Sequence, residues 1–202
     1  MRSLHFRNKT AWFLSAVAIV VIVVVIIGSF TTASTAKKVE GAGAKFSDYV
    51  DDTGAITLPS GYREKWSHIG SWVVPDEKAP GHGFHDVYTQ LGTVEAYKKT
   101  GKFPDGTVLV KEIRTIKSGP MTTGPKVEWA GDNSVWFVMI KDEKGRFPDN
   151  PNWGDGWGWA LYRADAPSKN VSTDYKKDCI GCHAPANLTD WVYIQGYPEL
   201  RK

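Results

Sequence analysis

Residues 179–183 read Cys-Ile-Gly-Cys-His, and they hold the only two cysteines of the chain. Two thiols about one helical turn apart can each close a thioether onto a haem vinyl group. The histidine that follows can then lie under the iron as proximal ligand, so the run has the attachment spacing of a c-type haem. Other chemistries use the same pair of thiols. A thioredoxin-like dithiol needs a βαβ context, and none is visible. A zinc site needs further ligands, and no second cysteine pair supplies them; a lone disulfide would close a small, reducible ring. The spacing predicts one covalently attached haem c, held by Cys179 and Cys182 with His183 as the metal ligand, and hence redox or gas-binding chemistry.

The elements that would position this motif read mostly as strands. Runs at 66–74, 84–89, 107–116, 126–130, 134–141 and 158–163 are rich in Val, Ile, Trp, Phe and Tyr and are bounded by turn residues. Pro104-Asp105-Gly106 and Gly131-Asp132-Asn133 are turn signals, and the second predicts a hairpin. Two helices are expected. One covers 93–100 and is stopped by Gly101; the other covers about 173–182, with Ser172 or Thr173 as N-cap, and carries the haem motif. Residues 150–159 (NPNWGDGWGW) are too Gly-rich for helix and read as an aromatic loop leading into a strand.

One residue of the third run stands out. In TVLVKEIRTI, side chains alternate, so Leu109, Lys111 and Ile113 share one face and Val108, Val110, Glu112 and Arg114 the other. A lysine between two aliphatics is ordinarily an edge-strand or snorkelling residue with its ammonium in water.

The block from Tyr97 to Glu112, YKKTGKFPDGTVLVKE, resembles the signature of the cytochrome P-460 family. The tail does so too, where Cys179–His183 is followed by Thr189-Asp190-Trp191-Val192-Tyr193 and Gly196-Tyr197-Pro198. The stretch from Gly131-Asp132 to Lys141-Asp142 also fits. The resemblance runs from about Leu58 to the C-terminus. It implies an α+β fold, mainly antiparallel β-sheet with a few helices around one c-type haem, often as a homodimer. In the cytochrome P-460 branch a lysine is joined to a meso carbon of the haem, and Lys111 is the matching residue. Such members oxidise hydroxylamine and, with nitric oxide, can yield nitrous oxide. A sister branch, cytochrome c′-beta, lacks the link and binds nitric oxide or carbon monoxide.

The family pattern also breaks here. Its distal carboxylate corresponds to Phe137, which cannot take a proton, and its distal arginine corresponds to His85, which could serve as base near neutral pH. His85 has a structural alternative, and His82 and His68 carry weaker claims. A third reading is plain electron transfer, with Met121 or Met139 closing the iron to substrates; filling a core gap is the ordinary role of Met139. Trp153, Trp157, Trp159, Trp129 and Trp136 are expected in the core and haem pocket. The three readings imply a small ligand (hydroxylamine, nitric oxide), a redox partner protein, or both.

The N-terminal residues bear on location. Residues 10–30 are apolar and uncharged, long enough to cross a bilayer core. Arg2, Arg7 and Lys9 precede them, which orients residues 1–9 to the cytoplasm and the remainder outward. A cleaved signal peptide is the competing reading; the length favours a retained transmembrane helix. Residues 31–45 read as a linker and 46–202 as the haem domain. The chain has 25 basic and 22 acidic residues; residues 1–36 hold three of the basic and none of the acidic ones, leaving 22 of each beyond. A neutral domain gives no footprint for nucleic acid. The expected location is the inner membrane, single-pass, with the haem domain on the periplasmic side.

Overall fold

A computed structural model describes residues 45–201. The expected transmembrane helix, the cytoplasmic segment and all but the last residue of the expected linker lie outside the described residues. Among the described residues no helix is long and apolar enough to cross a membrane.

The β-branched and aromatic runs form one six-stranded antiparallel sheet. Its strands are β1 (Ser67–Val74), β2 (Gly83–Thr89), β3 (Val108–Met121), β4 (Gly124–Lys141), β5 (Trp153–Gly154) and β6 (Trp157–Arg163). Their spatial order is β1-β2-β3-β4-β6-β5. Short helices α1 (Tyr62–Lys65) and α2 (Thr93–Thr100) flank the strands. Gly101 ends α2 with φ 76°, its N–H bonded back to the Tyr97 carbonyl, as the glycine stop predicts.

The period of two sorts the sheet into two faces. Val108, Val110, Val138, Ile140, Ala160 and Tyr162 pack with Val50, Ile56 and Tyr62 on one side. Val87, Leu109, Met139, Trp157 and Trp159 pack on the other with Tyr175, Cys179, Val192, Tyr197 and Leu200. The chain after β6 therefore covers one face, and the chain before β1 covers the other. Gly70 permits that cover: a Cβ there would run into the Gly196 carbonyl oxygen.

Three expectations need correction. The hairpin is not at Gly131-Asp132-Asn133. Strands β3 and β4 turn between Met121 and Gly124, and 131–133 lies inside β4. Ile116 pairs with Ala130 and Arg114 with Asn133, so two residues oppose the single Thr115, a β-bulge. Glycine and aspartate serve a bulge as readily as a turn, which is why the signal misled; the runs 126–130 and 134–141 are one strand. The second correction concerns the haem-motif helix. It is two four-residue helices, α3 (Tyr175–Asp178) and α4 (Ile180–His183), broken at Cys179, whose φ is −127°. Its N-cap is Asp174, whose carboxylate accepts from Lys176 N–H at 2.9 Å. Ser172 is instead bonded to Asn152 and Asp178. Third, β3 is interior to the sheet, so Lys111 is not an edge-strand lysine.

Candidate functional site

Between the sheet face and the C-terminal segment lies a cavity of about 430 Å³, within the usual range for small-molecule and cofactor sites. Four strands supply its wall: Trp72 from β1, His85 and Val87 from β2, Leu109 and Lys111 from β3, Phe137 and Met139 from β4. Opposite stand Cys182, His183, Val192, Tyr193 and Gln195 to Tyr197. The alternation that puts Leu109 and Lys111 on one face of β3 is what delivers both to the cavity.

Lys111 pairs with Val87 on β2 and Phe137 on β4. Its ammonium lies 4.3 Å from the Phe137 ring centroid, a cation–π contact. It does not snorkel to outer solvent; its open surface faces the cavity. Burial pushes its amine down to about 8.

His183 sits on α4, with its ring edge-on to Trp159 at 4.9 Å. Its Nδ1–H donates to the Trp191 carbonyl at 2.7 Å, which leaves the lone pair on Nε2, as a metal-binding histidine requires. Burial holds its pKa below the ordinary value, favouring the neutral form a metal requires. Cys182 lines the cavity, and Cys179 is buried in the adjoining core. Burial pushes the Cys179 thiol up to about 11. Asp178 orders the approach to this turn, accepting from the Thr173 N–H at 2.8 Å and the Ser172 hydroxyl at 3.2 Å.

His85 is 5% exposed and stacks on Trp72 at 4.9 Å. Its Nε2–H donates to the Gly81 carbonyl at 2.6 Å, and its Nδ1 is buried without a partner. This nitrogen is closed to water, and an acceptor left unpaired in an apolar interior is costly. Burial lowers the pKa of His85, so the imidazole is neutral at pH 7.

Other sequence candidates fall elsewhere. His68 bonds Ser71 on the surface and His82 bonds the Val74 carbonyl; neither lines the cavity. Met121 is exposed at the β3–β4 turn, whereas Met139 is in the wall. None of the five tryptophans singled out from the sequence lines the cavity. Trp157 and Trp159 pack in the core beside it, Trp153 and Trp136 lie on the opposite face, and Trp129 is exposed. Trp72, one register position from Val73 on β1, is the tryptophan that reaches the site. Its only sequence signal was alternation within a strand whose bulge at 68–70 shifts the faces.

An apolar cavity with a histidine and a cysteine of a Cys-x-x-Cys-His turn on one side and no carboxylate among its lining residues suits a flat, largely apolar metallocycle. The fold and site define a β-sheet haem protein of the c type. The cytochrome P-460 family matches residues 59–194, and the chain belongs to it. Members carry a covalently attached c-type haem, so the protein is a haem protein with that cofactor. No curated protein matches the chain.

Proposed function

We propose that the protein oxidises hydroxylamine, with Cys179 and Cys182 as the haem thioethers, His183 as proximal ligand and Lys111 joined to the macrocycle. The observation that carries this reading is the position of the Lys111 amine, in the cavity wall facing the segment that holds Cys182 and His183. Its pKa of about 8 leaves a usable fraction as the neutral amine, the form with a free lone pair. The haem, when bound, supplies an open iron coordination position and one-electron redox chemistry.

The remaining work falls to the chain. Conversion of one hydroxylamine and one nitric oxide to nitrous oxide and water releases one proton and one electron. Neutral His85, an imidazole in the cavity wall, accepts the proton. The apolar wall of Val87, Leu109, Phe137 and Met139 excludes water. The electron passes to a redox partner protein. The uncharged run at 10–30 and the basic residues before it support a partner at the membrane, with the haem domain on the outer side.

A second reading, reversible binding of nitric oxide, draws support from Phe137, an aromatic where a carboxylate would serve oxidation. One experiment separates the two. The ferrous absorption spectrum of Lys111→Ala should lose the strong red shift of a lysine-linked haem and revert to an ordinary c-type spectrum. Wild type should turn over hydroxylamine with an added electron acceptor. An unshifted wild-type spectrum with no turnover, and bands that move with nitric oxide, would establish the second reading instead.

A further inference from the structure

Two charged residues in the family-like blocks have no role in the proposed chemistry: Lys141, at the end of β4, and Asp190, seven residues after His183. Their side chains meet in the interior. Lys141 Nζ lies 2.6 Å from Asp190 Oδ1, with the side chains 9% and 11% exposed. The other oxygen of Asp190 accepts from Phe103 N–H at 3.0 Å, and the ammonium lies 4.9 Å from the Trp157 ring centroid. A buried ion pair often stabilises no more than a well-packed apolar pair would, so stability alone does not account for it.

The backbone beside it is unusual. Asp190 and Trp191 both have left-handed φ, 59° and 66°. Aspartate tolerates that region; a bulky residue such as tryptophan is an outlier there, and consecutive residues of this kind persist only where their surroundings hold them. Several contacts do so. Trp191 N–H donates to the Ala186 carbonyl at 2.9 Å. The Thr189 hydroxyl lies 2.7 Å from the Val192 carbonyl and 3.0 Å from that of Ala186. The product of this turn is the Trp191 carbonyl, set 2.7 Å from His183 Nδ1. The partner of a histidine's second nitrogen governs the ring orientation and basicity of the first.

We propose that the Lys141–Asp190 ion pair is a positioning device for His183: it clamps the left-handed Asp190–Trp191 turn to β4 and so holds the Trp191 carbonyl on the His183 ring. The inference rests on His183 as proximal ligand, not on hydroxylamine as substrate. A firm Nδ1–H···O bond gives the imidazole anionic character, strengthens it as a donor and favours ferric iron. A slack turn weakens the donor and raises the reduction potential.

The test uses the full-length, haem-loaded protein, reading the iron–histidine stretching band of the reduced form by resonance Raman and the midpoint potential by spectroelectrochemical titration. Asp190→Asn tolerates the left-handed backbone and can still accept from Phe103 N–H, but it removes the charge. Lys141→Gln removes the cation. Both should lower the stretching frequency and shift the ferric-to-ferrous ratio about tenfold, a rise of about 59 mV for one electron. Lys141→Arg, which keeps the cation, should restore most of both. Wild-type frequency and potential in Asp190→Asn and Lys141→Gln would overturn the proposal. So would failure of Asp190→Asn to fold while Lys141→Arg folds normally, since the pair would then be a purely structural clamp. A wild-type protein with no iron–histidine band would overturn the assignment of His183 itself, which separates the two failures.

Discussion

Three nitrogen bases share the cavity, and their surroundings differ enough to separate their roles. His183 is bonded at Nδ1 and half-buried, so the lone pair lies on Nε2, the atom the proposed iron ligation uses. Lys111 is held between two strands under an aromatic ring. His85 is bonded at Nε2, and its Nδ1 is buried without a partner. Replacing His85 by Gln should cut hydroxylamine turnover by roughly 10²–10⁴-fold, the usual contribution of a general base, while nitric oxide affinity changes little. Equal losses in both would argue against a role in proton transfer. The lowered pKa of His85 has a further consequence. Its first cause is burial, with the Lys111 charge adding to it. As pH falls below the ordinary histidine value of 6.5, the unfolded chain takes up a proton that the folded protein refuses. Stability attributable to His85 is thus constant above that pH and declines below it, until the depressed folded value is reached. Urea midpoints measured from pH 7 downward should fall, and His85→Gln should flatten part of that slope.

At the scale of elements, strand β3 does two jobs because its neighbours Lys111 and Glu112 face opposite ways. Glu112 is fully buried on the far face. It accepts from Tyr62 Oη at 2.6 Å, from Arg63 at 2.6 Å and from Asn133 at 3.3 Å. Tyr62 Oη in turn accepts from Trp136 Nε1 at 2.9 Å. This network ties the segment before β1 to the middle of the sheet. Removing Arg63 leaves a buried carboxylate with neutral partners only. Arg63→Ala should therefore destabilise the protein by about 3 kcal/mol, near the lower end for breaking a buried pair because Arg63 is partly exposed. The double variant Arg63→Ala with Glu112→Gln should recover part of that loss, since no charge then remains unpaired. Denaturant melts of the two proteins decide it; a double variant no more stable than the single one would show that the charge is not the cause. Haem absorbance should be altered little in either, because the network lies on the face away from the cavity.

The whole molecule divides into a charge-balanced domain and an N-terminal stretch that carries the excess of positive charge. Each side of the domain's single sheet has its own core, one closed by the chain before β1 and one by the chain after β6. The described core residues run from Phe46 to Leu200. Replacing residues 1–36 by a cleavable export signal should move the protein from the membrane to the soluble fraction with its haem spectrum intact. Cell fractionation followed by absorption spectroscopy tests this; a truncated protein that stayed with the membrane would place the anchor in the domain.

Local chemistry was legible in the linear order of residues. Cys179, Cys182 and His183 are recognisable because attachment depends on a short covalent spacing, and the face of Lys111 follows from the two-residue period of a strand. Strand existence followed from runs of β-branched and aromatic residues, for the same reason. What the tertiary structure alone decided was long-range. Gly131-Asp132-Asn133 suits a turn or a bulge equally, and only the pairing of Arg114 with Asn133 and Ile116 with Ala130 makes it a bulge. The interior place of β3, which takes Lys111 from the edge of the sheet to the wall of a cavity, depends on sheet order. The pairing of Lys141 with Asp190 joins residues far apart in sequence and follows no local period. Short-range physics is written in spacing; which distant groups meet is a property of packing, and here packing sets the surroundings of His183, His85 and Lys111.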